Sequence, residues 1–145
     1  YKENLWLHAK LNGIEKNRIK FAPKVSIEEH INRHQIIDLF LDTYPYNAHT
    51  STSDAIWAEC PVLTLAGQSF ASRVAGSILK EIDCEELITN DGVKYYDKAL
   101  DLYKNPKELL RIKQKIIIGK KNSILFKPNI FTTNLEKIYR DLFAS

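Results

Sequence analysis

The sequence predicts an α/β domain built on a parallel sheet, and three observations carry that prediction. Over the first two-thirds of the chain, short apolar runs with strand character alternate with segments of helical periodicity, the pattern of successive βαβ units. The run Val62-Leu-Thr-Leu-Ala66 is nearly all apolar, as a strand covered by helices on both faces should be. The 145 residues are 44% hydrophobic and 27% charged, enough for one real core and too apolar for intrinsic disorder.

Residues 2–11 read as a helix, stopped by Asn12-Gly13. A short strand is expected over residues 18–22, ending at Pro23. Ser26-Ile-Glu-Glu29 has the spacing of a capping box, in which hydroxyl and carboxylate satisfy orphan amides at a helix start. That helix is expected to reach about Ile37, followed by a strand over residues 39–42. A loop leads to Ser51-Thr-Ser-Asp54, a cluster of N-cap residue types opening a helix through Cys60. After the strand at 62–66, Gly67-Gln68 turns into a helix over 69–82, and a fourth strand lies near residues 86–89. Beyond residue 93 the chain reads as helical, with Asn105-Pro106 starting one helix and Lys127-Pro128-Asn129 setting off the last. About four strands are few for a Rossmann-like sheet, which commonly has six. No methionine occurs in the chain, and both observations point to an excerpt of a longer protein.

Composition narrows the function classes. No apolar run approaches the roughly 20 residues of a membrane span, and the charged amino terminus does not read as a signal peptide. Two cysteines without CxxC spacing argue against a disulfide framework or zinc knuckle and for a reducing, cytoplasmic setting. Residues 1–89 carry nine basic and twelve acidic side chains, residues 90–145 twelve and six. The lysines of the basic half alternate with Leu, Ile and Tyr, so they read as solvated helix faces rather than as a nucleic-acid or anionic-lipid contact.

In such sheets ligands bind beyond the carboxyl ends of the strands, which selects residues 23–33, 47–54 and 67–73. The second segment puts His49, Thr50, Ser51, Thr52, Ser53 and Asp54 at the start of a helix. Free amides and the helix dipole favour an anion there, and Asp54 could accept from ribose hydroxyls. The same residue types also serve as ordinary N-caps, and composition leaves both readings open. In the first segment His30, Arg33 and His34 share one helix face. His30 and His34 have metal-site spacing, but no glutamate intervenes as in HExxH and Arg33 would repel a cation, so no metal is expected. GxGxxG, P-loop and GxSxG motifs are absent.

Several elements of the chain, in order, resemble the O-linked N-acetylglucosamine transferases. They are Arg18-Ile-x-Phe21, Glu28-Glu-His30-x-x-Arg33-x-Gln35, Leu41-Asp-Thr43, Asn47-x-His49-Thr50, Trp57-Ala58, Pro61-x-x-Thr64 and Ala71-Ser-Arg-Val-Ala75, with Leu125-Phe126 and Leu135-Glu-x-x-Tyr139 in the closing helices. SPINDLY-like plant proteins share the Leu-Asp-Thr-x-Pro-Tyr element. The resemblance implies the carboxyl-terminal lobe of a GT-B glycosyltransferase, with residues 1–93 as a Rossmann-like nucleotide-sugar lobe, incomplete at its amino terminus, and residues 94–145 as helices packed on it. It implies a metal-independent, inverting transfer from a sugar of the UDP-N-acetylglucosamine kind to Ser or Thr hydroxyls of proteins, without a cofactor. His49, Thr50 and Ser51 match the family's diphosphate-binding residues, Asp54 its ribose-binding aspartate, and His30 and Arg33 its basic helix beside the nucleotide. The backbone at Val25 matches the uracil-reading position. Ile27 stands where animal members carry a lysine, Ser51 replaces a threonine, and Ala48 replaces a glycine. The groups that assist leaving-group departure, the amino-terminal lobe and any acceptor-recruiting helical repeats are expected upstream, so this segment alone should not turn over. The alternative is a degenerate lobe that serves only as an interaction module.

Overall fold

The structure is a computed structural model, described here for residues 1–144. Three strands, β1 (Phe40–Leu41), β2 (Val62–Leu65) and β3 (Ile88–Thr89), form a parallel sheet in the order β1-β2-β3. Phe40 pairs with Val62 and Leu41 with Leu63, while Thr64 pairs with Ile88 and Leu65 with Thr89. Seven helices surround it: α1 (Lys2–Leu11), α2 (Ile27–His34), α3 (Thr50–Trp57), α4 (Val74–Glu81), α5 (Gly92–Lys104), α6 (Pro106–Asn122) and α7 (Pro128–Phe143). The α/β class and the parallel sheet are those the alternating pattern predicts. β2 is the central strand, and its Val62, Leu63 and Thr64 are wholly buried.

The strand expected over residues 18–22 does not form. Residues 16–18 make a single 3₁₀ turn, and the backbone then extends at Ile19 with no neighbouring strand to complete a ladder. The sheet therefore has three strands among the described residues rather than four. β1 covers only residues 40–41 of the expected 39–42; it is an edge strand, and Leu41 is 54% exposed. The predicted helix over 69–82 divides into a 3₁₀ turn at Phe70–Ser72 and α4. The predicted capping box of α2 forms in full, with the Ser26 hydroxyl accepting from the Glu29 amide at 3.2 Å and the Glu29 carboxylate from the Ser26 amide at 3.1 Å. α2 ends at His34, three residues short of the expected boundary.

Ala55 and Ile56 of α3, Leu79 of α4, Leu102 of α5 and Ile112 and Ile116 of α6 meet Val62 in one buried cluster. Two helices enter it through the same device. Glu59 and Asp83 adopt left-handed φ values of 64° and 57°. The following amides of Cys60 and Cys84 reach back to the carbonyls of Ala55 and Leu79, each at 2.8 Å. This is the Schellman termination, which turns an apolar residue inward just past the helix end. Both cysteines fill that place, so Cys60 lies beyond α3 rather than in its last turn.

At Gly119, α6 passes close against the backbone that ends α4. A Cβ there would stand 2.5 Å from the Ile82 carbonyl oxygen, and a backbone atom cannot give way as a side-chain tip can. Gly119→Ala should therefore destabilise the fold by about 1–3 kcal/mol through overpacking, although alanine normally favours a helix interior. A thermal melt of the two proteins checks the sign. Burial pushes both thiols up, Cys60 and Cys84 each to about 11. Neither should react with an aromatic disulfide reagent at pH 8 in the folded protein, and both should react once denaturant unfolds it, because the thiolate is the nucleophile.

Candidate functional site

The carboxyl end of β1 feeds directly into the loop over residues 43–48, and the buried side chain of Asp42 organises it. Asp42 Oδ1 accepts from the amides of Thr43 at 2.8 Å and Ala48 at 2.7 Å. Oδ2 accepts from the Thr64 hydroxyl of β2 at 2.6 Å. The Asp42 carbonyl takes the Tyr95 hydroxyl of α5 at 2.9 Å. Within the loop the Thr43 hydroxyl donates to the Tyr46 carbonyl. Asn47 donates its side-chain amide to the carbonyls of Thr43 and Leu65 and its backbone amide to Ala71. The Tyr44–Pro45 peptide is cis.

This loop delivers the chain to α3 with His49 at the N-cap position. The residues predicted to cap the helix do not do so. No side chain caps α3, and the helix starts at Thr50, one residue before the predicted cluster. The buried Thr52 hydroxyl turns back to the Ala48 carbonyl at 2.9 Å. The amides of Thr52 and Ser53 bond the His49 carbonyl, so among the described residues those of Thr50 and Ser51 have no acceptor. These are the orphan donors that make a helix start an anion site. They open, with the exposed hydroxyls of Thr50 and Ser51, onto a cleft of about 490 Å³ that Thr43, Tyr46 and His49 also line.

The His49 ring is held on several sides. Tyr46 stacks on it with centroids 5.0 Å apart, Phe70 meets it edge-on at 6.1 Å, and Nε2–H donates to the Ala71 carbonyl at 3.4 Å. Nδ1 is the ring nitrogen without a protein partner among the described residues. The predicted third segment, residues 67–73, thus contributes chiefly the Ala71 carbonyl, which receives both Asn47 and His49. Gly67 is needed where that segment folds back, since a Cβ would come within 2.6 Å of the Ser72 hydroxyl.

The basic face of α2 meets α3 beside this cleft. Arg33 donates to His30 Nδ1 and, at 3.0 Å, to the Pro23 carbonyl. A guanidinium can only donate, so Nδ1 accepts and the His30 proton sits on Nε2, 3.6 Å from the Asp54 carboxylate. His34, predicted as the third member of the face, is instead buried, its Nδ1–H donating to the His30 carbonyl at 2.7 Å. Among the described residues no three His, Cys, Asp or Glu side chains group as metal ligands.

The structure therefore brings the candidates together in two sets, one at the start of α3 and one where α3 meets α2. His49, Thr50 and Ser51 line the cleft, and Asp54, one turn further along α3, joins His30 and Arg33. Val25 lies half-buried in the segment before α2, and Ile27 is 68% exposed at its first position; neither lines the cleft. Sequence reasoning gave no individual role to Asp42, Thr64, Asn47 or Tyr46, although all four lie within the elements that carry the family resemblance. Asp42 carried a usable signal, an acidic residue at the carboxyl end of an apolar strand.

Residues 2–135 match the model of Glycosyl transferase family 41. A UDP-N-acetylglucosamine–peptide N-acetylglucosaminyltransferase of Caenorhabditis elegans is 31% identical over 126 residues, 87% of this chain and 11% of that protein. A probable enzyme of the same name, SPINDLY of Solanum lycopersicum, is 27% identical over 132 residues, 90% of this chain and 14% of that one. Among solved structures, a mutant O-GlcNAc transferase of Thermobaculum terrenum superposes with a TM-score of 0.86 at 27% identity, covering 97% of this chain and 27% of that one.

Proposed function

The chain belongs to glycosyl transferase family 41, and from that premise we propose that it binds a uridine diphosphate sugar at the cleft beside His49. It acts as the carboxyl-terminal lobe of a GT-B enzyme that transfers the sugar, with inversion, to Ser or Thr hydroxyls of proteins. The chain spans only 11% and 14% of the two relatives compared. The amino-terminal lobe, the groups that activate the acceptor and any helical repeats that recruit it belong, in this proposal, to the rest of a longer protein working in the cytoplasm.

The observation that carries the proposal is the uncapped start of α3. Side-chain oxygens suited to capping are present, yet none occupies the Thr50 and Ser51 amides. Those amides, the two hydroxyls and the helix dipole form a donor set for a diphosphate, which His49 joins through Nδ1–H when its ring carries both protons, Nε2–H being held by the Ala71 carbonyl. As the glycosidic bond breaks, negative charge grows on the leaving diphosphate, and donors fixed before the reaction stabilise it without reorganising. This donor set, rather than a metal ion, meets the charge. Asp54 accepts from the ribose hydroxyls, with Arg33 and His30 keeping its α2 side basic, and the backbone at Val25 reads the base. Ile27 contributes no charge, which weakens the grip on the nucleotide relative to family members with a lysine there.

Calorimetric titration of the full-length protein with UDP, with GDP as control, tests this. UDP should bind selectively, and His49→Ala should weaken it about 10- to 100-fold, the loss of one hydrogen bond to a charged group. A folded full-length protein that ignores UDP would instead support the degenerate interaction module, which the loss of a cation at Ile27 favours.

A further inference from the structure

We propose that Asp42 and Thr64 are positioning residues for nucleotide binding, acting through the loop over residues 43–48 on His49 and the free amides of α3. This inference rests on the nucleotide assignment made for the cleft. Neither side chain takes part in the β1–β2 ladder, whose bonds run through backbone atoms such as the Asp42 amide to Leu63. What their side chains do is close the loop. One carboxylate oxygen holds the loop's first amide, Thr43, and its last, Ala48, while the other is fixed by the hydroxyl of the neighbouring strand.

Ala48 is the residue through which this reaches the cleft. Its amide is held by Asp42, its carbonyl by the Thr52 hydroxyl, and the next residue is His49. Tyr46, whose ring stacks on His49, rides on the same closed loop. An ionised carboxylate in a buried site persists only with its acceptor capacity filled. Asp42 is 6% exposed and takes three donors on its two oxygens. Of these three, only the Thr64 hydroxyl comes from outside the loop. Removing it leaves Oδ2 unpaired and frees the carboxylate to rotate, which loosens both amides it holds and lets His49 and the Thr50 amide drift from a common focus.

Thr64→Val keeps the shape of the side chain and removes the hydroxyl; Thr64→Ser keeps the hydroxyl and removes the methyl. In the full-length protein, below the melting temperature of each variant, Thr64→Val should raise the dissociation constant for UDP about tenfold, whereas Thr64→Ser should stay within about twofold of the parent. Hydrogen exchange gives a ligand-free readout. The Thr43 and Ala48 amides should exchange about tenfold faster in Thr64→Val, with those of α4 and α6 unchanged. Equal affinity and exchange in Thr64→Val and the parent would overturn the proposal, as would Ser and Val variants impaired alike, which would mean packing rather than the hydroxyl. If the parent itself does not bind UDP, the nucleotide assignment fails, and the exchange measurement still decides whether Asp42 and Thr64 fix the loop.

Discussion

One buried carboxylate connects the sheet of this chain to its cleft. Asp42 lies where β1 stops, and each of its polar groups is engaged: the amide with β2, the carbonyl with Tyr95 of α5, and the carboxylate with Thr64 and two amides of the following loop. Burying an unpaired charge costs several kcal/mol, whereas hydrogen bonds to an ionised acceptor contribute about 1.5–3 kcal/mol each. The geometry around Asp42 is therefore tightly constrained, because each lost donor leaves a desolvated acceptor. A loop carrying two exposed tyrosines, Tyr44 and Tyr46, can hold one conformation because its two ends meet on one oxygen atom.

α3 follows directly from that loop, packs Ala55 and Ile56 into the core, and is held at its other end as well. Lys120 of α6 donates to the Trp57 carbonyl at 3.0 Å, pairs with Glu59 at 2.7 Å and lies over the Trp57 ring. A cation at a helix carboxyl terminus complements the dipole that favours an anion at the amino terminus. α6 is itself tied down by the buried Ile112 and Ile116, and by Arg111 and Lys115 around Glu86. Burial alone would raise the Glu86 carboxyl, but hydrogen bonds from Lys115, its own backbone and Arg111 outweigh it and hold the group below the usual carboxylate range. The helices beyond the sheet thus fix both ends of the helix that carries the cleft, α5 through Tyr95 and α6 through Lys120. α1 and α7 stand outside this arrangement: α1 buries only Ala9, and α7 buries no residue.

Local signals in the sequence were reliable where the chemistry itself is local. The Ser26–Glu29 box, the Asn105-Pro106 helix start and the apolar run of β2 all involve residues within a few positions of one another, and each formed where expected. The strand over 18–22 failed because extended propensity becomes a strand only beside a partner, and among the described residues no strand pairs with Ile19. The cluster at residues 51–54 left cap and anion site open as readings because both use the same residue types. In the structure none of them caps α3, which begins one residue earlier than expected. His34 looked equivalent to His30 by spacing, and only the packing of α2 against Phe40, whose ring stacks on His34, shows that it faces inward.

The pairing of Asp54 with His30 gives the proposed site an order of assembly. Arg33 can only donate, so His30 accepts at Nδ1 and must present its remaining proton toward Asp54. A ribose hydroxyl that donates to Asp54 then finds the carboxylate already oriented, with lone pairs left for a second donor. Thr50 and Asp54 are four residues apart on α3, ~6 Å along its axis, so diphosphate and ribose of one nucleotide would be met by successive turns of a single rigid element. In that arrangement the loop closed by Asp42 sets the first contact, and the Arg33–His30 pair sets the second. In this proposal a nucleotide is gripped only when both supports hold α3 at once, and for that reason a substitution in β2 should be felt at the cleft.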